Sequence, residues 1–173
     1  MYSDFAISPS FENKQAIVFC PDDNYIKYFG VALISLIENS SKDKKYDIVV
    51  LDRNITDENK KRLLNCLPDN FSLRFFNIDE YIKSSFNGIS LNAEGGHWTT
   101  SAYYRIFIPF IMQKYEKVLY IDSDTIINRN IDDIFNIDFD NRKIMACRDT
   151  FVIKNHLPRE EMRLDYIKNT LKV

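Results

Sequence analysis

The chain has 173 residues, of which 45% are hydrophobic and 28% charged, and its formal net charge is -2 at pH 7. This composition fits one globular domain with its own core and excludes an intrinsically disordered chain. The slight negative charge leaves no broad basic surface for nucleic acid, and no apolar run approaches the ~20 residues that cross a bilayer. The start, Met1-Tyr2-Ser3-Asp4, lacks the basic and apolar parts of a secretory signal.

Cysteines and histidines are few and widely spaced. Cys20, Cys66 and Cys147 show no paired spacing for metal or redox chemistry, and they fit reduced thiols in a cytoplasmic protein. His97 and His156 are too few and too far apart in sequence for a histidine-based metal site. We therefore expect a cytoplasmic protein without a cysteine- or histidine-rich centre.

The first half of the chain alternates predicted strands and helices. Apolar runs predict strands at 16–20, 46–51 and 71–78. A helix is predicted from near Ile26 to about Glu38, capped by Asp23 or Asn24 and buried around much of its surface. A second helix follows Thr56, a capping residue, and its leucines (Leu63, Leu64, Leu67) would form a buried stripe. Strand, helix, strand, helix, strand is typical of a parallel α/β sheet.

The next segments are a loop and an apolar helix. Three of the four glycines lie between 84 and 96, where a plain connector and a mobile loop near a site are both open interpretations. A helix is predicted from Thr99 or Thr100 to near Pro109, with Arg105 among aromatic and aliphatic residues. A guanidinium on such a buried helix needs an anionic partner, because an unpaired buried charge is costly. The partner could be Asp122 or Asp124, a substrate phosphate or sugar group, or a distant carboxylate in a structural ion pair.

The most informative stretch is 117–128, where an apolar run ends on two carboxylates. Val118 to Ile121 predicts a strand buried on both faces, and Asp122 and Asp124 follow where open α/β sheets bind ligands. Residues i and i+2 point to the same side of an extended chain, so both carboxylates can face one ion. Two hard oxygen donors suit Mg²⁺ or Mn²⁺. A chance Asp-x-Asp also occurs in 138–140, so the position after the strand carries the hypothesis.

Beyond this stretch the signals are weaker. A short helical turn is predicted at 131–135, a strand at 143–147 and a helix opening at 158–161.

A second polar cluster, Asp22-Asp23-Asn24-Tyr25, follows the first predicted strand. An Asp and an Asn can pair with the donor and acceptor edge of a base, and a Tyr can stack on its face. A helix cap with a turn explains the same residues without any ligand. The residues alone leave both interpretations open.

Four segments, in order, resemble glycosyltransferase family 8: 17–25, 30–36, 103–105 and 117–124. The resemblance covers residues 15 to 150 and implies an α/β GT-A fold, a Rossmann-like, mostly parallel sheet between helices in three α/β/α layers. It implies that residues 1–173 are a single nucleotide-sugar-binding domain. It also implies a retaining hexosyltransferase that moves galactose or glucose from a UDP-sugar to a glycan or lipid-linked saccharide. The cofactor would be Mn²⁺, with Mg²⁺ as the alternative ion.

The same resemblance implies roles for individual residues and leaves the catalytic group open. Asp122 and Asp124 would bind the metal ion, Arg105 would reach the donor sugar or its diphosphate, and Ser123 would lie near the ribose. Asp22, Asn24 and Tyr25 would hold uridine. The implied nucleotide-sugar-binding residues are Cys20, Asp22, Asn24, Tyr25, Arg105, Ile121, Asp122 and Ser123.

One departure from the family limits these expectations. Family members are usually longer, and their later part supplies a His ligand in a His-x-x-Gly-x-x-Lys-Pro-like segment together with sugar and acceptor contacts. His156 stands in His156-Leu157-Pro158, which is not that motif. We expect the nucleotide-binding half of such an enzyme, with any peripheral attachment to the inner face of a membrane depending on the later part. The alternative function is a truncated or non-catalytic UDP-sugar-binding domain.

A haloacid-dehalogenase-like phosphatase is a second alternative, because that family also places Asp-x-Asp after an apolar strand. It requires Thr or Val two residues after the second Asp, where this chain has Ile126. Its nucleophile strand also lies near the N-terminus, whereas Asp122 lies deep in this chain. The pattern therefore favours the glycosyltransferase.

Overall fold

A computed structural model describes residues 5–85 and 101–147. The chain divides into two compact units, Met1–Ile137 and Asp138–Val173. Every helix and strand named below lies in the first unit. The capping position at Thr99 or Thr100, most of the glycine-rich stretch and the helix opening at 158–161 lie outside the described residues.

Four parallel strands form one sheet in the order β3-β2-β1-β4. The strands are β1 (Gln15–Phe19), β2 (Tyr46–Asp52), β3 (Phe71–Asn77) and β4 (Lys117–Tyr120). Ile17 of β1 is in register with Ile48 on one side and Leu119 on the other. β2 is buried along its whole length, as expected for a parallel strand covered on both faces. The predicted parallel sheet is confirmed.

Helices cover both faces of this sheet. They are α1 (Ile26–Glu38), α2 (Asp57–Leu64), α3 (Ile78–Ser85), α4 (Ser101–Tyr104), α5 (Ile108–Ile111) and α6 (Asp132–Phe135). Ile17 and Phe19 pack with α1, α2 and α6 in one apolar cluster. Ala16 and Val18, which point to the opposite face, pack with α3 and the helical segment at 101–111 in a second cluster. The three-layer α/β/α architecture is confirmed.

The first two helices begin where the sequence predicts, but they are less buried. α1 packs one face on the sheet, and Val31 and Ile34 on another face are 54% and 39% exposed. Leu64 of α2 is likewise exposed, so the predicted burial is wrong at these positions. Thr56 caps α2 by accepting a hydrogen bond from the backbone N–H of Asn59, as predicted.

Two predictions about helix ends are wrong. Neither Asp23 nor Asn24 caps α1, since Tyr25 occupies the capping position without a side-chain hydrogen bond. Pro109 does not end a helix but lies in the first turn of α5, where its missing N–H removes no helical hydrogen bond. A 3₁₀ turn, Arg105–Phe107, separates α4 from α5.

Two predictions about strands also need correction. β4 lies at the edge of the described sheet and pairs with β1, so its residues are half-buried rather than buried on both faces. Residues 143–147 form no strand, and Ile144 is 77% exposed. No described residue pairs with that segment, and a strand needs a partner for its backbone groups. The short helix predicted at 131–135 is present as α6.

A buried ionic network lies at the amino end of the strands. Both carboxylate oxygens of Asp47 accept hydrogen bonds from Arg74, at 3.0 and 2.8 Å. The Tyr115 hydroxyl and the Ser10 backbone N–H donate to the same carboxylate, each at 2.8 Å. Burial and the bond to Asp47 raise the pKa of Tyr115, so its hydroxyl remains a donor. The network joins β2 and β3 to the segments that precede β1 and β4.

None of the helices in the two described ranges is long and apolar enough to cross a membrane.

Candidate active site

The candidate site lies at the carboxyl ends of β1 and β4, which are neighbours in the sheet. The chain leaves β1 toward β2 and β3 and later returns to the other side of β1 as β4. Ligands of open α/β sheets bind in the crevice that such a reversal of strand order creates. The polar cluster at 22–25 follows β1, and Asp122 and Asp124 follow β4. The topology therefore brings the two predicted clusters to the same edge.

Asp122 is held by two donors. Arg105 Nη2 lies 3.1 Å from Asp122 Oδ1, and the Tyr120 hydroxyl donates to the same oxygen at 2.7 Å. The guanidinium also lies over the Tyr120 ring, 4.6 Å from its centroid. Burial is the main reason that the pKa of Tyr120 is raised, so its hydroxyl stays protonated as a donor. The three side chains form one contact group.

Arg105 is more exposed than the sequence predicts. Its side chain is 42% exposed, because it starts the 3₁₀ turn whose buried residue is Phe107. Among the partners considered, the structure pairs it with Asp122. An ion pair this exposed contributes roughly 0–1 kcal/mol, so breaking the contact between Arg105 and Asp122 itself costs little.

Asp124 and Ser123 have contrasting environments. Ser123 is buried at 8% exposure, whereas Asp124 is exposed and has no hydrogen bond or ion pair with the described residues. The Thr125 hydroxyl donates to the backbone carbonyl of Asp122 at 2.8 Å and closes a turn over residues 122–125. The turn therefore leaves both carboxylates facing solvent.

These two carboxylates fit part of a divalent-metal site. Within 5–85 and 101–147, no three His, Cys, Asp or Glu side chains gather closely enough to hold an ion by themselves. Asp122 and Asp124 supply two hard oxygen donors, which suits an ion that takes its other ligands from water and substrate phosphates. His156 lies outside the described residues.

The cluster after β1 divides into structural and exposed members. Asp22 Oδ1 accepts the backbone N–H of Tyr25 at 3.0 Å, which fixes the turn before α1. Asp23 points away toward α2, where its Oδ1 accepts the Thr56 backbone N–H at 3.0 Å and the Asn59 amide at 2.9 Å. These bonds, led by that from the Thr56 N–H, lower the pKa of Asp23. Asn24 and Tyr25 are exposed, and they follow β1 on the carboxyl side of the sheet.

Cys20 directly follows β1 and lies near Arg105 and Asp122. Burial raises its pKa to about 12, while the nearby Arg105 guanidinium opposes that rise. The thiol is therefore neutral and forms a small apolar part of the wall. Ile121, the residue after β4, donates its backbone N–H to the Val18 carbonyl of β1 at 3.1 Å. The backbone hydrogen bonding between the two strands therefore continues to the residue before Asp122.

Tyr120 is a site residue that the sequence interpretation missed. Its spacing of two from Asp122 places both side chains on the same side of the strand, and this spacing could have identified it.

The family profile described as glycosyl transferase family 8 matches residues 16–171. The chain belongs to glycosyl transferase family 8. This confirms the resemblance drawn from the four motif segments, and it gives no support to the phosphatase alternative.

Three relatives place this family 8 chain among longer proteins. It is 31% identical over 150 residues to a protein of Haemophilus influenzae, covering 86% of this chain and 44% of that protein. It is 30% identical over 135 residues to General stress protein A of Bacillus subtilis, covering 77% and 46%. It is 28% identical over 138 residues to the glycosyltransferase GlyE of Streptococcus pneumoniae, covering 80% and 32%. The chain thus spans less than half the length of these relatives.

Solved structures show the same fold. The bifunctional glycosyltransferase WbbM, in its apo form, superposes with a TM-score of 0.72 and 32% identity over 85% of this chain and 25% of its own. An active-site mutant of LgtC superposes with a TM-score of 0.64 and 27% identity over 81% of this chain and 48% of its own. The expected GT-A fold of this family 8 chain is confirmed.

Proposed function

We propose that the chain is the nucleotide-sugar-binding part of a retaining hexosyltransferase. It would transfer galactose or glucose from a UDP-sugar to a glycan or lipid-linked saccharide. The observation that carries the proposal is that two solvent-facing carboxylates, one of them paired with a guanidinium, follow β4, while an exposed Asn-Tyr pair follows the neighbouring β1. Membership of family 8 supports sugar transfer over other uses of such a crevice.

The proposed metal site consists of Asp122 and Asp124, with the donor diphosphate completing the ligands. Mn²⁺, or Mg²⁺ as the alternative, would supply Lewis-acid stabilisation of the charge on the leaving UDP. Arg105 adds a second positive charge next to that position, since its guanidinium already lies 3.1 Å from Asp122. We infer that it moves from Asp122 to the diphosphate or the sugar when the donor binds.

The uridine would lie against the cluster after β1. Tyr25 offers an aromatic face, and the Asn24 amide offers both a donor and an acceptor to the base. Asp22 keeps one oxygen beyond its bond to the Tyr25 N–H, so it can both hold the turn and contact the nucleotide. Asp23 is excluded from this role because its carboxylate serves the start of α2. The backbone around Cys20 would line the same uridine pocket, Ser123 would lie near the ribose, and Ile121 is a further proposed contact of the nucleotide sugar.

In this proposal the acceptor hydroxyl attacks from the face that UDP leaves, which is consistent with retention of configuration. The proposed location is cytoplasmic, and the expectation that residues 1–173 form a single domain stays a prediction. A UDP-sugar-binding domain without transfer activity is the alternative. It is favoured by the donor set of only two carboxylates among the described residues.

Calorimetry with UDP, UDP-galactose and UDP-glucose, each with and without Mn²⁺, tests the proposal. We expect Mn²⁺-dependent binding of the nucleotide sugars, and hydrolysis of the preferred one that also requires the ion. Binding without turnover would favour the non-catalytic domain. The absence of any metal-dependent binding would overturn both functions.

A further inference from the structure

The segment that follows the two carboxylates is fastened to α1 at one residue. Ile127, three positions after Asp124, donates its backbone N–H to Ser35 Oγ at 3.0 Å. Its carbonyl accepts a hydrogen bond from Asn39 Nδ2, also at 3.0 Å. Both backbone groups of one loop residue are thus bound by two side chains from the last turns of α1.

The donors and acceptors of this contact are fully assigned. The Ser35 hydroxyl donates its hydrogen to the Ala32 carbonyl at 2.8 Å, so toward Ile127 it can act only as an acceptor. Asn39 Nδ2 also donates to the Ser35 carbonyl at 3.0 Å, which fixes the amide plane at the helix end. Ser35 is itself buried. The two side chains therefore bind the Ile127 backbone in one orientation, with its N–H toward Ser35 and its carbonyl toward Asn39.

That orientation sets the register of the loop. The Ile127 side chain packs on the core cluster beneath α1, whereas its neighbour Ile126 is 72% exposed. At the other end, the Ile121 N–H is held by the Val18 carbonyl at 3.1 Å. Residues 122–126 therefore span two fixed points, and Asp122 and Asp124 lie between them.

We propose that Ser35 and Asn39 are positioning residues for the metal-binding carboxylates. They act through the backbone of Ile127 and touch neither the ion nor the nucleotide. The inference rests on the proposed function, since it assigns a task to the loop that would hold Mn²⁺. Groups that orient metal ligands change metal affinity although they do not bind the ion.

A role confined to capping α1 would not need the contacts to Ile127. Asn39 is the C-cap of α1, and its backbone N–H already bonds the Ser35 carbonyl. Ser40 offers the matched comparison, because its hydroxyl donates to the Leu36 carbonyl at 2.6 Å and makes no hydrogen bond with 122–127. Ser40→Ala thus removes a serine hydroxyl from the same helix end without touching the loop.

The test compares Ser35→Ala and Asn39→Ala with Ser40→Ala. Mn²⁺ is titrated in the presence of saturating UDP, and free Mn²⁺ is counted by electron paramagnetic resonance. We expect Mn²⁺ affinity to fall roughly threefold to tenfold in the first two variants, because each loses one neutral hydrogen bond to the loop. Ser40→Ala should match the wild type. Equal Mn²⁺ affinity in all four proteins would overturn the proposal.

Amide hydrogen exchange separates this inference from the proposed function. We expect the Ile127 amide to exchange faster in Ser35→Ala than in Ser40→Ala, whether or not the protein binds UDP. If the wild type binds no UDP with Mn²⁺, the proposed function is wrong. If the Ile127 amide exchanges at the same rate in Ser35→Ala and Ser40→Ala, Ser35 does not hold the loop and this inference is wrong. Should Ser35→Ala fail to fold, Asn39→Ala removes the Nδ2 donor and leaves the Ser35 hydroxyl in place. Ser35→Thr, which keeps the hydroxyl, should restore Mn²⁺ affinity.

Discussion

Arg105 and Asp122 meet across the carboxyl edge of the sheet, with Nη2 3.1 Å from Oδ1 and side chains 42% and 54% exposed. The pair is open to solvent, and its contribution to stability is correspondingly small. Asp122 is thus already bound to a cation before any metal ion arrives. Arg105 and the ion would compete for the same oxygen when the donor is absent, and both would contact the diphosphate when it is present.

Replacement of Arg105 should therefore have opposite effects on two affinities. In Arg105→Ala, Mn²⁺ alone should bind up to about fivefold more tightly, because the competing exposed ion pair is gone. UDP with Mn²⁺ should bind about tenfold more weakly, because a charge-assisted contact to phosphate is lost. Calorimetry with Mn²⁺ alone and then with UDP measures both.

Arg142→Ala is the control, because it removes a guanidinium whose exposed pair with Asp140 spans 3.8 Å. It should leave both affinities unchanged. A loss of UDP affinity of the same size in Arg142→Ala would show that overall charge, not the position of Arg105, is responsible.

The two Asp-x-Asp patterns of the chain can be compared directly. Asp124→Asn removes one charged ligand from the proposed metal site, whereas Asp140→Asn removes a carboxylate from the second pattern, where Asp138 already accepts the Asp140 N–H. We expect at least a tenfold loss of Mn²⁺-dependent UDP binding in Asp124→Asn alone, since even residues that merely support metal ligands change affinity by roughly 10–100-fold. Wild-type affinity in Asp124→Asn would refute the metal assignment.

Asp23 should affect stability and not nucleotide binding. Its hydrogen bonds from Thr56 and Asn59 hold its pKa below the ordinary value of 3.8. The stabilisation is therefore complete above that value and is lost as the pH falls through the lower native pKa. Urea unfolding should show Asp23→Ala less stable than the wild type at neutral pH, with the difference shrinking in acid.

Asp69→Ala, which removes an exposed carboxylate beyond the end of α2, controls for the loss of one surface charge. A difference between wild type and Asp23→Ala that did not change with pH would contradict the assignment of Asp23 as a hydrogen-bonded anion. UDP binding at neutral pH should be the same in all three proteins.

Asp47 should be among the most sensitive positions in the fold. Its side chain has no exposed surface, and its removal leaves the Arg74 guanidinium without its carboxylate partner. The Arg74 side chain is 35% exposed, so its guanidinium can be partly solvated, and the loss of hydrogen bonds to the charged carboxylate costs roughly 1.5–3 kcal/mol. We expect that loss in the free energy of unfolding of Asp47→Ala, measured in urea. Arg62→Ala, which removes an exposed pair with Glu58, should stay within about 0.5 kcal/mol of the wild type.

What the sequence predicts correctly here depends on local patterns. The bounds of α1, the Thr56 cap and the parallel strands follow from periodicity and from residues within one helical turn. The pairing of Arg105 with Asp122 was one of several open alternatives, because a charge among apolar residues indicates that a partner exists but not which one.

What the sequence misses depends on contacts between distant segments. Asp23 bonds residues more than thirty positions later, and Asn39 bonds the carbonyl of Ile127, 88 positions away. Neither contact can be predicted from the local sequence pattern. The burial of β4 was overestimated for a related reason, since an apolar run does not tell how many strands flank it.

The strand order also has a consequence for how the site is made. Gln15 of β1 is paired with Lys117 of β4, so about a hundred residues of chain separate these two neighbouring strands. β1, β2 and β3 can pair as soon as they are synthesised, while the other edge of β1 stays without its partner. We expect pulse-labelling hydrogen exchange during refolding to protect β2 before β4. Asp122 and Asp124 would then be the last part of this sheet edge to fold. An incompletely folded chain would have the proposed uridine-binding cluster after β1 but not the proposed metal site after β4.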